Sequence, residues 1–238
     1  MQRFAFPVLL AIASTAVAGI DDSLTADLAT AAPDADPAAV AQAVHAMQCA
    51  AQLDAEPASR LVLIDYSLPS TAPRLWVFDL ATRTLSREEH VAHGQGSGDN
   101  HATRFSNRLG SYQTSLGLFR TGNTYVGRNG YSMRLEGLDP GVNDRAMQRA
   151  IVMHGAPYVS EATVRQLGRL GRSWGCPAVR SEIAHSLIDE IKGGQYLYAY
   201  HSSALPAPDS AGVRCDSARP AIARRPTAAP QLTSDPAP

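Results

Sequence analysis

One cysteine, Cys176, stands between a glycine and a proline in the run Gly171-Arg172-Ser173-Trp174-Gly175-Cys176-Pro177-Ala178-Val179. Gly175 allows a tight turn and a close approach to a ligand. Pro177 fixes the chain after the sulfur and removes a backbone donor. A cysteine on such a turn suits a nucleophile, although free cysteines are also among the residues most often buried for packing. A thiol attacks as its thiolate, so a nucleophilic cysteine needs a base within hydrogen-bond reach, most often a histidine. Of the seven histidines, His154 is the best placed: it ends the apolar run Ala150-Ile151-Val152-Met153 and is followed by Gly155. His93-Gly94 is a rival that also follows a strand-like run, but it lies far upstream among glycines, and His93 is read as a residue lining the cleft. His45 is isolated on a helical stretch and is read as packing. No pair of cysteines or Cys/His cluster has the spacing of a zinc site, and the expectation is no metal and no cofactor.

Strands and short helices must hold these residues. Leu61-Val62-Leu63-Ile64-Asp65-Tyr66 is an apolar run bounded by turn residues, which predicts a buried strand. Residues 74–80 and 84–92 predict a hairpin packed on it. Residues 93–131 are rich in Gly, Ser, Asn and Thr and read as turns linking short strands; a loop region this long points to function. The Gly94-Gln95-Gly96-Ser97-Gly98 run has no phosphate-loop spacing. Residues 132–138 and 150–156 read as strands, and 160–167 as a short helix with Ser160 as its cap. Ser181 is read as the cap of a further helix whose apolar face is Ile183, Leu187 and Ile191, ended by Gly193-Gly194. Residues 195–200 form a last strand. Upstream, Asp36-Pro37 opens a helix over 37–54, with Val40, Val44 and Met47 on one face. Residues 21–36 read as loose, and 202–238 as a disordered Pro/Ala-rich tail.

The sequence has 238 residues and a net charge of −1, so composition supplies no argument for nucleic acid or an anionic membrane. The first 18 residues read as a secretory signal: Arg3, an apolar stretch over 4–13, then Ala16-Val17-Ala18 before Gly19. That places the mature chain in the periplasm, or secreted, with no membrane segment after cleavage. In an oxidising compartment the three cysteines leave an odd thiol. Cys49 and Cys215 flank the central region and could pair, which would leave Cys176 free; connectivity is not fixed by sequence. The organisation expected is a helical segment over 19–59, one β-rich domain over 60–201 with helices at its margins, then the tail.

His154-Gly155, a spacer, then Ser173-Trp174-Gly175-Cys176 resembles the signature of the L,D-transpeptidase catalytic domain family, whose members cross-link bacterial peptidoglycan. Ile64 to Ser67, Val91 to Gly94, Phe105-Ser106-Asn107 and 115–119 look like the murein L,D-transpeptidase branch with Gly-Cys-Pro-Ala-Val, over about 60–201. The resemblance implies a mainly β, sandwich- or barrel-like catalytic domain with flanking helices, acting as a monomer on peptidoglycan stem peptides. It implies Cys176 as the acylated nucleophile, His154 as base and then acid, and Ser173 as the residue that helps orient the histidine by its side chain or carbonyl. It implies an oxyanion hole from the N–H groups of Gly175 and Cys176, and close packing at Gly155 beside the base. Arg172 and Arg180 are candidates for a stem-peptide carboxylate, with ordinary surface charge as the equal alternative, and Trp174 is counted with them as substrate-binding. The sequence departs from the commoner pattern, in which an aliphatic residue and an arginine follow the cysteine; here Pro177-Ala178-Val179 intervene before Arg180. With water as acceptor the same chemistry gives an L,D-carboxypeptidase. Other readings are a different wall-peptide thiol hydrolase, which expects Cys before His, and a non-catalytic wall-binding protein of the same fold.

Overall fold

The computed structural model describes residues 22–52 and 57–203. The expected signal segment and cleavage site, and the tail from 204 on with Cys215, lie outside the described residues.

Two helices lead the chain. Residues 22–31 were expected to be loose, but they form α1 (Asp22–Ala31), because Leu24 and Leu28 fall one turn apart and are both buried. Arg83 anchors α1 from below, with Nη1 at 2.6 Å from Asp27 Oδ2. α2 (Pro37–Ala51) starts where the sequence predicts it: Asp36 accepts from the N–H of Ala38 at 2.8 Å, and Pro37 sits in the first turn. Val40, Ala43, Val44 and Met47 face the sheet and meet Leu61, Leu63, Trp76, Phe78 and Tyr198 in one apolar cluster. Each fully buried valine there contributes about 1.5–3 kcal/mol. The two leading helices therefore share a core with the strands.

The sheet has eight strands: β1 (Arg60–Asp65), β2 (Leu75–Asp79), β3 (Thr84–Glu89), β4 (Gly117–Gly127), β5 (Gly130–Gly137), β6 (Val152–Ala156), β7 (Ala178–Arg180) and β8 (Tyr196–Tyr200). Their order is β3-β2-β1-β8-β4-β5-β6-β7. β1, β2 and β3 form the expected hairpin and neighbour, while β8 inserts parallel to β1. β4 is the main departure from the sequence reading, which expected turns linking only short strands across this stretch. Its glycines and threonines hide an eleven-residue strand that pairs with both β5 and β8 and shifts register between Thr121 and Thr124. β7 was also not foreseen; at three residues it carries almost no periodicity.

The two edges of the sheet bend towards each other, giving a nearly closed, barrel-like sheet. The chain leaving β3 bridges β7 at Ala92 and Ala178, and Gly94 bridges Ser173. Arg180 on β7 reaches Glu89 at the end of β3 through a bidentate pair at 2.8 Å and 3.1 Å. α3 (Glu161–Leu167) is capped by Ser160, whose Oγ accepts from Thr163 N at 3.2 Å. α4 (Ser181–Ile191) buries Ala184, Leu187, Ile188 and Ile191 against the second core cluster. Its cap position is Arg180 rather than Ser181, with no side-chain cap bond, because the helix starts directly from β7.

Candidate active site

Cys176 lies in the connection that runs into β7, beside the start of β6. It is the one free cysteine among the described residues; Cys49 is held in a disulfide. The sulfur is half-buried. It accepts from the N–H of Val152 at 3.5 Å and faces the carbonyl of Ala150 at 3.7 Å. Ala150 holds a φ of 53°, a conformation costly for a residue with a Cβ, and that backbone kink is what turns its carbonyl to the thiol. Burial pushes the Cys176 thiol up from its ordinary pKa; the Val152 N–H and the Arg149 guanidinium work in the opposite direction.

Arg149 is the residue that sequence reasoning missed. Its guanidinium donates to Ser106 O at 2.6 Å, to Ser115 Oγ, to Gln113 O at 2.5 Å and to Ser111 Oγ at 3.3 Å. It thus ties the loop over 106–115 to the cysteine turn. A Cβ on Gly175 would lie 3.1 Å from Arg149 Nη2 and 2.8 Å from Gln113 O, and Gly175 itself has a φ of 123°. Only glycine fits both the conformation and the space. Nothing in the local sequence around Arg149 marked it, since its partners lie 34 to 43 residues upstream.

His154 is in the middle of β6 and pairs in register with Ala178 of β7, two residues beyond Cys176. Val152, whose N–H meets the sulfur, is two residues before His154 on the same strand. No hydrogen bond joins the thiol to His154 among the described residues. His154 Nδ1 lies 2.9 Å from the carbonyl of Gly155. A carbonyl only accepts, so Nδ1 carries the proton and Nε2 is left with a lone pair, which is the tautomer a base needs. Burial pushes the His154 pKa down, with the Gly155 carbonyl opposing. The imidazole is therefore neutral at pH 7. Gly155 also admits α4: a Cβ there would meet Ala184 Cβ at 2.8 Å.

No hydrogen bond joins Ser173 and His154 among the described residues. Its hydroxyl donates to the carbonyl of Cys176 at 2.6 Å and accepts from Gly175 N–H at 3.0 Å. Its carbonyl is taken by Gln95 N–H at 2.8 Å. Ser173 thus shapes the cysteine turn, and the carbonyl that orients the histidine is that of Gly155. The same bond corrects the expected oxyanion hole. The Gly175 N–H is already committed to Ser173, whereas Cys176 N–H has no partner among the described hydrogen bonds.

Three further expectations change. His93 is buried and accepts from Arg74 Nη2 at 2.9 Å, while Nε2 donates to Gly98 O at 3.4 Å. Both nitrogens are used, and burial with the nearby Arg74 charge holds its pKa down at about 4. It supports the loop and does not line the cleft. Arg74, itself fully buried, completes the support by donating to Val91 O and Leu68 O. Arg180 spends its fork on Glu89, and Arg172 Nη1 pairs with Asp99 at 2.9 Å and with Gly98 O at 2.8 Å. Each arginine is thus engaged with an acid, Arg180 with Glu89 and Arg172 with Asp99. Trp174 is 65% exposed next to the cysteine turn, with its ring centre 5.7 Å from that of Tyr112. A narrow pocket lies under the turn, lined by Tyr66, Thr114, Ser115, Ile151, Gly175 and Pro177. Among the described residues no group of three or more His, Cys, Asp or Glu side chains could hold a metal ion, and no helix is long and apolar enough to cross a membrane.

The nearly closed, barrel-like sheet thus carries a free thiol in the loop entering β7 and a histidine on the adjoining β6 whose Nδ1 is turned to the Gly155 carbonyl. The profile of the L,D-transpeptidase catalytic domain matches residues 31–200, and the chain belongs to that family. Solved structures similar to it include an L,D-transpeptidase from Mycobacterium smegmatis, with 15% identity over 60% of this chain and 59% of that one and a TM-score of 0.37. L,D-transpeptidase 1 of Mycobacterium tuberculosis shows 13% identity over 59% and 61%, with a TM-score of 0.34. The helical cell shape determining protein Pgp2 from Campylobacter jejuni shows 12% identity over 65% and 54%, with a TM-score of 0.37. The chain spans less than two thirds of each of these structures. No curated protein matches the sequence.

Proposed function

We propose that this protein is a cysteine-dependent L,D-transpeptidase acting on peptidoglycan stem peptides outside the cytoplasm. The observation that carries the reading is the position of Cys176. It is a free, half-buried thiol that meets the Val152 N–H and feels the Arg149 guanidinium, in the loop entering β7 beside the strand that holds the Nε2-basic His154. In the resting state thiol and imidazole are both neutral, since burial disfavours either charge. Proton transfer from Sγ to His154 Nε2 accompanies attack on the carbonyl of the third stem residue. The C–N bond to the terminal D-alanine breaks, and the imidazolium gives its proton to the departing amine. A thioester on Cys176 remains. The Cys176 N–H is the free donor for the oxyanion of the tetrahedral intermediate. A second stem amine then attacks the thioester, one of its protons returns to the sulfur through His154, and an amide forms. Water in place of the amine gives the carboxypeptidase outcome. The test is turnover of a tetrapeptide muropeptide by the purified protein. Cys176→Ala should abolish it, and His154→Ala should lower it by at least about a hundredfold, the usual contribution of a positioned base. Turnover retained in Cys176→Ala would refute the mechanism.

A further inference from the structure

The acyl acceptor of the proposed reaction is a primary amine, which is an ammonium ion in neutral water. The surface next to Cys176 offers it aromatic faces. Trp174 precedes Gly175-Cys176 directly and is 65% exposed; Tyr112 is 46% exposed. Their ring centres are 5.7 Å apart and their planes meet at 58°, so both rings keep open surface. Tyr112 is not a casual surface residue. Its φ is 54°, in the region that a side chain normally avoids, and its carbonyl accepts from Gly96 N–H at 2.9 Å. On either side of it, Ser111 Oγ and Gln113 O are both held by Arg149 Nη2. The same guanidinium lies against Gly175. Backbone strain and three hydrogen bonds hold one exposed ring against another that lies in the nucleophile's own turn. Asp99, the acid on the adjoining loop, is engaged by Arg172 at 2.9 Å and Arg169 at 3.7 Å.

We propose that Trp174 and Tyr112 form the seat of the acyl acceptor and hold its ammonium by cation–π attraction. This rests on the transpeptidase reading of Cys176 and names the acceptor chemistry of that site. Indole is the strongest of the aromatic faces for a cation. An aromatic seat also suits the chemistry. A carboxylate would hold the proton that the amine must lose, whereas a ring attracts the cation without accepting its proton. The bound R–NH3+ releases one proton to solvent. The resulting R–NH2 attacks the thioester carbon, its second proton passes by His154 to the departing sulfur, and amide and free thiol result.

Binding can be read without turnover. A stem tripeptide ending in its diamino acid, with the side-chain amine free, is titrated into the full-length Cys176→Ala protein by calorimetry, beside the same tripeptide acetylated on that amine. The free amine should bind about three- to thirtyfold more tightly, and Trp174→Leu should bring the ratio to near one while Trp174→Phe keeps part of it. Tyr112→Leu should reduce it as well, read also in Trp174 fluorescence, since Trp76 is fully buried. In the otherwise unaltered enzyme, Trp174→Leu should shift products from amide towards hydrolysis by a similar factor. Equal affinity for free and acetylated tripeptide, or a ratio unmoved by Trp174→Leu, would overturn the ammonium seat. Failure of the wild-type protein to form any acyl-enzyme from a tetrapeptide would instead overturn the transpeptidase reading, whatever the binding ratio.

Discussion

Replacing Arg180 by methionine separates two accounts of this arginine. As a substrate ligand it would leave stability alone and raise KM. As a brace between β7 and the end of β3 it should do the reverse. Its fork meets both oxygens of Glu89 at 2.8 Å, and the Glu89 side chain is only 10% exposed while that of Arg180 is 43% exposed. Breaking a fully buried pair costs about 3–5 kcal/mol because a charge is left without its partner. Here the Arg180 end is open to water, which screens the pair in the folded protein and lowers what it contributes, so the cost is discounted to about 1–2 kcal/mol. For a chain of this size that lowers Tm by roughly 2–8 °C. Methionine keeps most of the aliphatic stem, so the loss reads the charge and its hydrogen bonds. Glu89→Gln in the same background should recover part of it, since the uncompensated charge is gone. The assay is thermal unfolding of wild type, both single variants and the double variant, with KM for a tetrapeptide measured on each. An unchanged Tm with a tenfold rise in KM for Arg180→Met would refute the brace and restore the carboxylate-binding role.

Further outcomes follow from the same geometry. Gly175→Ala forces a Cβ to 2.8 Å from Gln113 O at a φ of 123°, so alkylation of Cys176 should slow at least about tenfold and stability should fall by about 1–3 kcal/mol; an unaltered rate and Tm would contradict the packing described. Alkylation by iodoacetamide should rise with pH and reach half its maximum above the ordinary thiol value of about 8.5, because burial disfavours the thiolate, and Arg149→Met should move that midpoint higher still; a thiolate fully formed at pH 7 would be inconsistent with this environment. His93 has a folded pKa of about 4 against an unfolded value of 6.5, so between those limits the unfolded chain binds the extra proton and stability is lost as pH falls, by at most roughly 3 kcal/mol at pH 4. Denaturant midpoints measured from pH 7 to 4 should therefore drop in wild type and drop less in His93→Asn, and parallel curves would refute the buried neutral histidine.

The features legible in the sequence are those written in short windows. Asp36-Pro37 opens α2, Ser160 caps α3, and the apolar runs of β1 and β6 stand out because their residues are buried on both faces. The Cys176 turn and His154-Gly155 were visible for a similar reason, as compact motifs. What stayed hidden depends on distant contacts. β4 is stabilised by pairing with β8, about 80 residues later, and its own Gly- and Thr-rich sequence has weak strand preference. α1 helices only because Leu24 and Leu28 find a sheet to cover. The roles of Ser173, Arg180 and His93 shifted because their partners, Cys176 O, Glu89 and Arg74, are set by how the sheet edges close. Arg149 was missed because a lone arginine in a turn has no pattern, and its function comes entirely from the loop it gathers.

The claim at the centre of this account is that Cys176 becomes covalently acylated by a stem peptide. Incubating the full-length protein with a disaccharide tetrapeptide, quenching in acid and measuring intact mass tests it directly. The account predicts a mass increase equal to the tetrapeptide donor less its terminal D-alanine, mapped by digestion to the peptide containing Cys176 and absent from Cys176→Ala. An adduct on another residue, or substrate turnover with no adduct and undiminished in Cys176→Ala, would contradict it.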